Sequence, residues 1–191
     1  MSLGIFRSIR GSFAPEYRRE ADKIIRQLNT ELKARGLPEY EDPDPGERDL
    51  RPLPCGNAGA STFSRLQKLA EEARLPWTLG CLRGERQIAL PVEFAGTFSV
   101  RLGRGLFFVP IVQEFASVRT IHEEVIALAL VLKIPLANGT LSDALGERLS
   151  DCLGVTDDEP AGWLENERGL WVDLYYATRY GMEDSTPLVI G

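Results

Sequence analysis

His122 is the single histidine of this chain, and that restricts the chemistry open to it. Histidine is the usual general base near neutral pH and the commonest metal ligand. One copy excludes His-rich zinc and iron sites and two-His signatures such as H-E-x-x-H. A nucleophilic pair stays open. Cys55 precedes Gly56 and lies a few residues before an expected helix start at residue 61. A thiol near a helix N-terminus can have a depressed pKa and act as a nucleophile. With His122 as base, and Glu123 or Asp143 as the acid, Cys55 would make a Cys–His hydrolase. The context Cys55-Gly56-Asn57-Ala58-Gly59-Ala60 matches no cysteine-protease signature. His122 is expected at the second position of a helix capped by Thr120, where the helix dipole favours a neutral ring. An ordinary first-turn residue beside Glu123 and Glu124 fits the same pattern.

The other candidate is electrostatic. Glu39, Glu41, Asp42, Asp44, Glu47 and Asp49 load one segment with negative charge, among Pro38, Pro43, Pro45, Pro52 and Pro54. Carboxylates on an extended segment can steer a basic partner and raise its association rate. Glu41, Asp42, Asp44, Glu47 and Asp49 are therefore the expected partner-binding residues. A solvated linker is the alternative. Residues 39–49 are expected to be mobile, because prolines and charges make no packed core. Cofactors and metals are not indicated. Gly103-Arg104-Gly105 and Gly56-Asn57-Ala58-Gly59 are neither dinucleotide nor phosphate-loop motifs, and Asp157-Asp158-Glu159 lacks the remainder of an EF-hand loop.

These residues must be positioned by one domain spanning 1–191. Residues 14–35 read as an amphipathic helix, with Tyr17, Ala21, Ile24, Ile25, Leu28 and Leu32 at spacings of three and four. Ser12 is a plausible cap, and Gly36 and Pro38 stop the helix. Residues 37–60 form the acidic Pro-rich loop. A helix over 61–74 follows, capped by Ser61 or by a Ser64–Gln67 capping box. Residues 77–113 read as sheet. The segments 77–82 and 87–92 are expected to form a hairpin through Arg83-Gly84-Glu85-Arg86, and Phe98, Val100 and Leu102 alternate with Ser99 and Arg101 as a half-buried strand does.

Thr120 with Glu123 predicts a capping box for a helix over 120–133, apolar all round from Val125 to Leu132 and so buried between layers. A short helix starting at Thr140 carries a stripe of Leu141, Leu145, Leu149 and Cys152. A last helical stretch runs from Pro160 to about Tyr180, broken at Gly169, and Leu188-Val189-Ile190 close the chain as a strand. Trp163, Trp171, Tyr175, Tyr176 and Tyr180 on that stretch read mainly as core. The fold class is α+β, with a small, mostly antiparallel sheet at about 77–113 packed against helices.

Composition narrows the setting. With 43% hydrophobic residues the chain can bury a full core. The net charge of -6 argues against nucleic acid and anionic membranes as partners, and permits a basic protein. Cys55, Cys81 and Cys152 are odd in number and far apart, and make neither a C-x-x-C pair nor a disulfide framework. Cys81 and Cys152 lie in apolar patterns and read as small core residues. A reducing cytoplasm is the simple reading. The longest apolar run, Val125 to Leu132, is too short to span a membrane.

The final two-thirds of the chain resembles small bacterial immunity-type proteins encoded beside secreted polymorphic toxins. The resemblance lies in a buried helix followed by Lys133-Ile134-Pro135-Leu136, a short acidic helix, the stretch Leu170-Trp171-Val172-Asp173-Leu174-Tyr175-Tyr176, and a terminal Pro187-Leu188-Val189-Ile190. It carries no diagnostic motif and transfers no site residue. It implies tight neutralisation of a toxin by an acidic surface. A non-enzymatic protein-binding role is thus the leading expectation. The Cys55–His122 hydrolase, and a structural or scaffold subunit whose partner buries the last helix, remain alternatives.

Overall fold

A computed structural model describes residues 2–43, 57–79, 87–104, 110–150 and 160–191. Its elements in chain order are β1 (Ser2–Phe6), two short 3-10 turns (Arg10–Ser12 and Pro15–Tyr17), α1 (Arg18–Ala34), β2 (Asn57–Gly59), α2 (Ala60–Glu72), β3 (Gln87–Leu90), β4 (Phe98–Arg104), β5 (Pro110–Ser117), α3 (Val118–Val131), α4 (Asp143–Ser150), α5 (Pro160–Asp184) and β6 (Leu188–Ile190). The fold is α+β, and the mostly antiparallel sheet has the order β2-β1-β6-β3-β5-β4. Among the described residues, only β3 and β5 run parallel. The sheet is wider than the expected 77–113, because β6 pairs with β3 and β1 pairs in turn with β6.

The period of two along each strand assigns its side chains to opposite layers. Ile88 and Leu90 of β3, Phe98, Val100 and Leu102 of β4, Phe115 of β5 and Val189 of β6 join one buried cluster with Ala21, Ile24, Ile25, Leu28 and Leu32 of α1. The alternate residues Ala89, Ala116, Leu188 and Ile190 face a second cluster built by α2, α3, α4 and α5. The sheet is therefore covered by α1 on one face and by the remaining helices on the other. The stripe expected on the first helix is buried from Ala21 onward, but Tyr17 is exposed, since the chain there is still a 3-10 turn.

Several local expectations are corrected. The expected 77–82/87–92 hairpin falls partly on residues 80–86, which lie outside the described residues; Ile88 and Ala89 pair instead with β5 on one side and β6 on the other. Thr120 is not a cap. α3 starts at Val118 behind Ser117, whose side chain makes no capping bond, so Thr120 lies inside the first turn. Nor do Ser61 or Ser64 cap α2, which begins behind Gly59; the Ser64 hydroxyl donates instead to the Ala60 carbonyl. Ser12 bonds back to Ile9 within the first 3-10 turn rather than capping α1. α5 runs unbroken through Gly169. α3 is not buried on all sides either. Val125 and Leu128 are fully buried, whereas Leu130 is 85% exposed, because its side of α3 faces away from the core cluster.

Candidate partner-binding site

The acidic segment is fastened to the body at its start. Gly36 sits in the left-handed region at φ 69°, ending α1, and the Leu37 amide closes the turn on the Leu32 carbonyl at 2.9 Å. The chain then doubles back along α1. The Asn29 side chain holds Tyr40 in both directions: its amide donates to the Tyr40 carbonyl at 2.9 Å, and its oxygen accepts the Tyr40 amide at 2.8 Å. The Tyr40 ring is buried in the cluster beneath α1.

Asp42 is the anchor. Its carboxylate accepts the Ile9 amide at 2.7 Å, the Arg10 amide at 2.9 Å, the Ser8 hydroxyl at 3.0 Å and the Tyr40 hydroxyl. Ser8, Ile9 and Arg10 belong to the corner between β1 and α1, where the Ile9 and Arg10 amides are satisfied by the carboxylate. Asp42 is buried there. It was expected to present its charge to a partner; instead its carboxylate is consumed internally. Residues 39–43 were also expected to be mobile, yet Tyr40 and Asp42 tie them down.

Exposure alternates along the strap from Glu39 to Asp42. With Tyr40, Asp42 and Pro43 turned inward, Glu39 and Glu41 are turned out and exposed. This strap therefore holds two carboxylates in the solvent on an ordered backbone. Asp44, Glu47 and Asp49 lie outside the described residues. Tyr40, Asn29 and Ser8 were missed as determinants. The available signal was the alternation Glu39-Tyr40-Glu41-Asp42, in which one aromatic marks the inward phase.

His122 occupies a different environment. It is the fifth residue of α3, beyond the reach of the helix N-terminus. Its Nδ1 lies 2.9 Å from the Thr178 hydroxyl oxygen. That hydroxyl also lies 2.7 Å from the Leu174 carbonyl, so the ring is tied to the α5 backbone through Thr178. Burial pushes the His122 pKa below its ordinary value; Glu123 raises it and Arg179 lowers it further. The ring is accordingly neutral at pH 7, through burial rather than through the dipole. It rests against Tyr175, with ring centroids 5.6 Å apart. Cys55 lies outside the described residues, so the dyad is not assembled among them. Glu124 is engaged elsewhere. It is buried and accepts the Thr78 amide at 2.8 Å and the Thr78 hydroxyl, holding the segment after α2 against α3.

Comparison with protein-family models, curated proteins and solved structures finds no match for this chain.

The aromatic residues of α5 divide by position. Trp171 and Tyr175 are buried, stacked at 5.3 Å, and the Trp171 indole donates to the Val125 carbonyl at 2.6 Å. Tyr176 and Tyr180 are half-buried neighbours at 5.5 Å. Burial raises the Tyr176 pKa, with Asp143 adding to the effect. Among the described residues, no group of three or more His, Cys, Asp or Glu is placed to hold a metal ion, and no helix is long and apolar enough to cross a membrane.

Proposed function

We propose that this chain is a protein-binding domain that engages a basic partner through its acidic strap, most concretely an immunity protein that neutralises a toxin in a bacterial cytoplasm. The observation that carries the reading is the alternation across Glu39–Asp42: inward residues fix the backbone, and outward carboxylates are held ready in solvent. A pre-ordered acidic segment attracts a cationic surface over the Debye length and loses little backbone entropy on contact. The net charge of -6 acts in the same direction. The resemblance to immunity-type proteins supplies the toxin as the partner.

The test is calorimetric titration of the full chain with the protein encoded by the neighbouring gene. A basic partner should bind, with affinity falling as salt rises. A neighbouring gene whose product is acidic, or whose product binds with no salt dependence, would refute the reading.

A further inference from the structure

The two edges of the sheet differ in length. At one end, β2 is three residues long; at the other, β4 spans seven, Phe98–Arg104, and among the described residues only β5 is bonded to it. An edge of that length presents a row of backbone donors and acceptors, which is a template for another strand.

We infer that β4 pairs antiparallel with β4 of a second copy of this chain, about a twofold axis through Val100. Strand geometry and the placement of charge favour this occupant and register, independently of the function proposed above. First, residues whose N–H and C=O point outward alternate along an antiparallel edge, so a symmetric pairing must be centred on a residue. Second, centring on Arg101 would set Arg101 against its own copy, and like charges directly opposite are unfavourable. Centring on Val100 sets Ser99 opposite Arg101 of the second copy, twice, and Phe98 opposite Leu102. Third, Glu114 of β5 lies directly beside Ser99, and Ser99, Arg101 and Glu114 are all exposed. Arg101 of one copy therefore faces Glu114 of the other across a small serine. The separation is two strand spacings, about 10 Å between backbones, which an Arg and a Glu side chain span together.

The layers permit this approach. Phe98, Val100 and Leu102 are covered by α1, while the opposite side of β4, carrying Ser99 and Arg101, is open to solvent. The bulge between Arg101 and Gly103 bends the strand beyond this point and limits the pairing to Phe98–Leu102. The contact is isologous, so every favourable pair occurs twice and assembly stops at the dimer.

The experiment is sedimentation velocity on the full chain over a concentration series reaching about 1 mM. A dimer should accumulate with concentration. Arg101→Glu places like charges across both serines and should raise the dimer Kd about tenfold, as should Glu114→Arg; the double exchange Arg101→Glu with Glu114→Arg should restore it. Both positions are exposed, and circular dichroism is to check that each variant folds. Hydrogen exchange provides a second readout, in which alternate amides within Phe98–Leu102 should slow as the wild-type concentration rises. A chain that remains monomeric throughout, or a dimer indifferent to these exchanges and leaving those amides unprotected, overturns the inference.

Discussion

On one face of the sheet, α3 and α5 close over the strands through Val125, Leu128, Trp171 and Tyr175, all buried. On the other, beside α1, the acidic strap is fastened by polar groups: Asn29, Ser8 and the carboxylate of Asp42. The first region is held by many weak apolar contacts, the second by a few directed bonds to otherwise unmatched amides. An apolar region loses stability in proportion to the side chain removed. A polar anchor fails at one residue and leaves several donors unsatisfied at once.

The contrast is sharpest at single positions. Leu128→Ala should cost about 2–5 kcal/mol in denaturant melts, because a fully buried side chain leaves a cavity. Two residues on, Leu130→Ala should change stability by less than about 0.5 kcal/mol. Equal losses at the two sites would mean that α3 is buried on all sides. In the strap, Asp42→Ala should cost about 3 kcal/mol, since the Ile9 and Arg10 amides, Ser8 and Tyr40 lose a charged acceptor together. Its neighbour Glu41→Gln should stay within about 0.5 kcal/mol. A melt in which Asp42→Ala is as silent as Glu41→Gln would return the strap to a solvated linker.

His122 adds a pH dependence to the apolar face. Its folded pKa is lowered by burial, so the unfolded chain takes up the proton first as pH falls. The contribution of the neutral ring is fully present above about 6.5 and declines as pH drops from there toward the lowered folded value. His122→Gln should flatten this part of the stability profile. If the wild type gains stability over the same range, the assignment of a neutral ring is wrong. Cys55 should react with iodoacetamide as an ordinary thiol does. A thiolate forming near pH 6, and lost in His122→Ala, would favour the hydrolase over the binding domain.

The apolar packing beneath α1 was largely legible from residue spacing. The 3.6 period of Ala21, Ile24, Ile25, Leu28 and Leu32 located α1, and the alternation of Phe98, Val100 and Leu102 located β4 and its buried side. Strand partners were not legible. β3 reads like half of a hairpin, and only tertiary context sets it between β5 and β6. Helix ends were legible at Gly36 and, within two residues, at Arg74 and Lys133; the end of α5, where Ser185 adopts positive φ itself, was expected near Tyr180 and lies at Asp184. In the acidic segment, composition revealed the charge but not its division. Asp42 and Glu41 are adjacent acids, and what separates them is the distant corner at Ser8–Arg10 that only the fold brings beside Asp42. Sequence spacing alone carries no trace of that contact.

The central claim is that the outward carboxylates of an ordered strap steer a basic partner. The most direct test is surface plasmon resonance of the wild type and of Glu39→Gln with Glu41→Gln, against the protein encoded by the neighbouring gene, at low and at physiological salt. The account predicts slower association for the variant, with dissociation nearly unchanged and the difference shrinking as salt rises, because exposed charges are screened over about 8 Å at physiological ionic strength. Association rates that are the same for both proteins at both salt concentrations would contradict it.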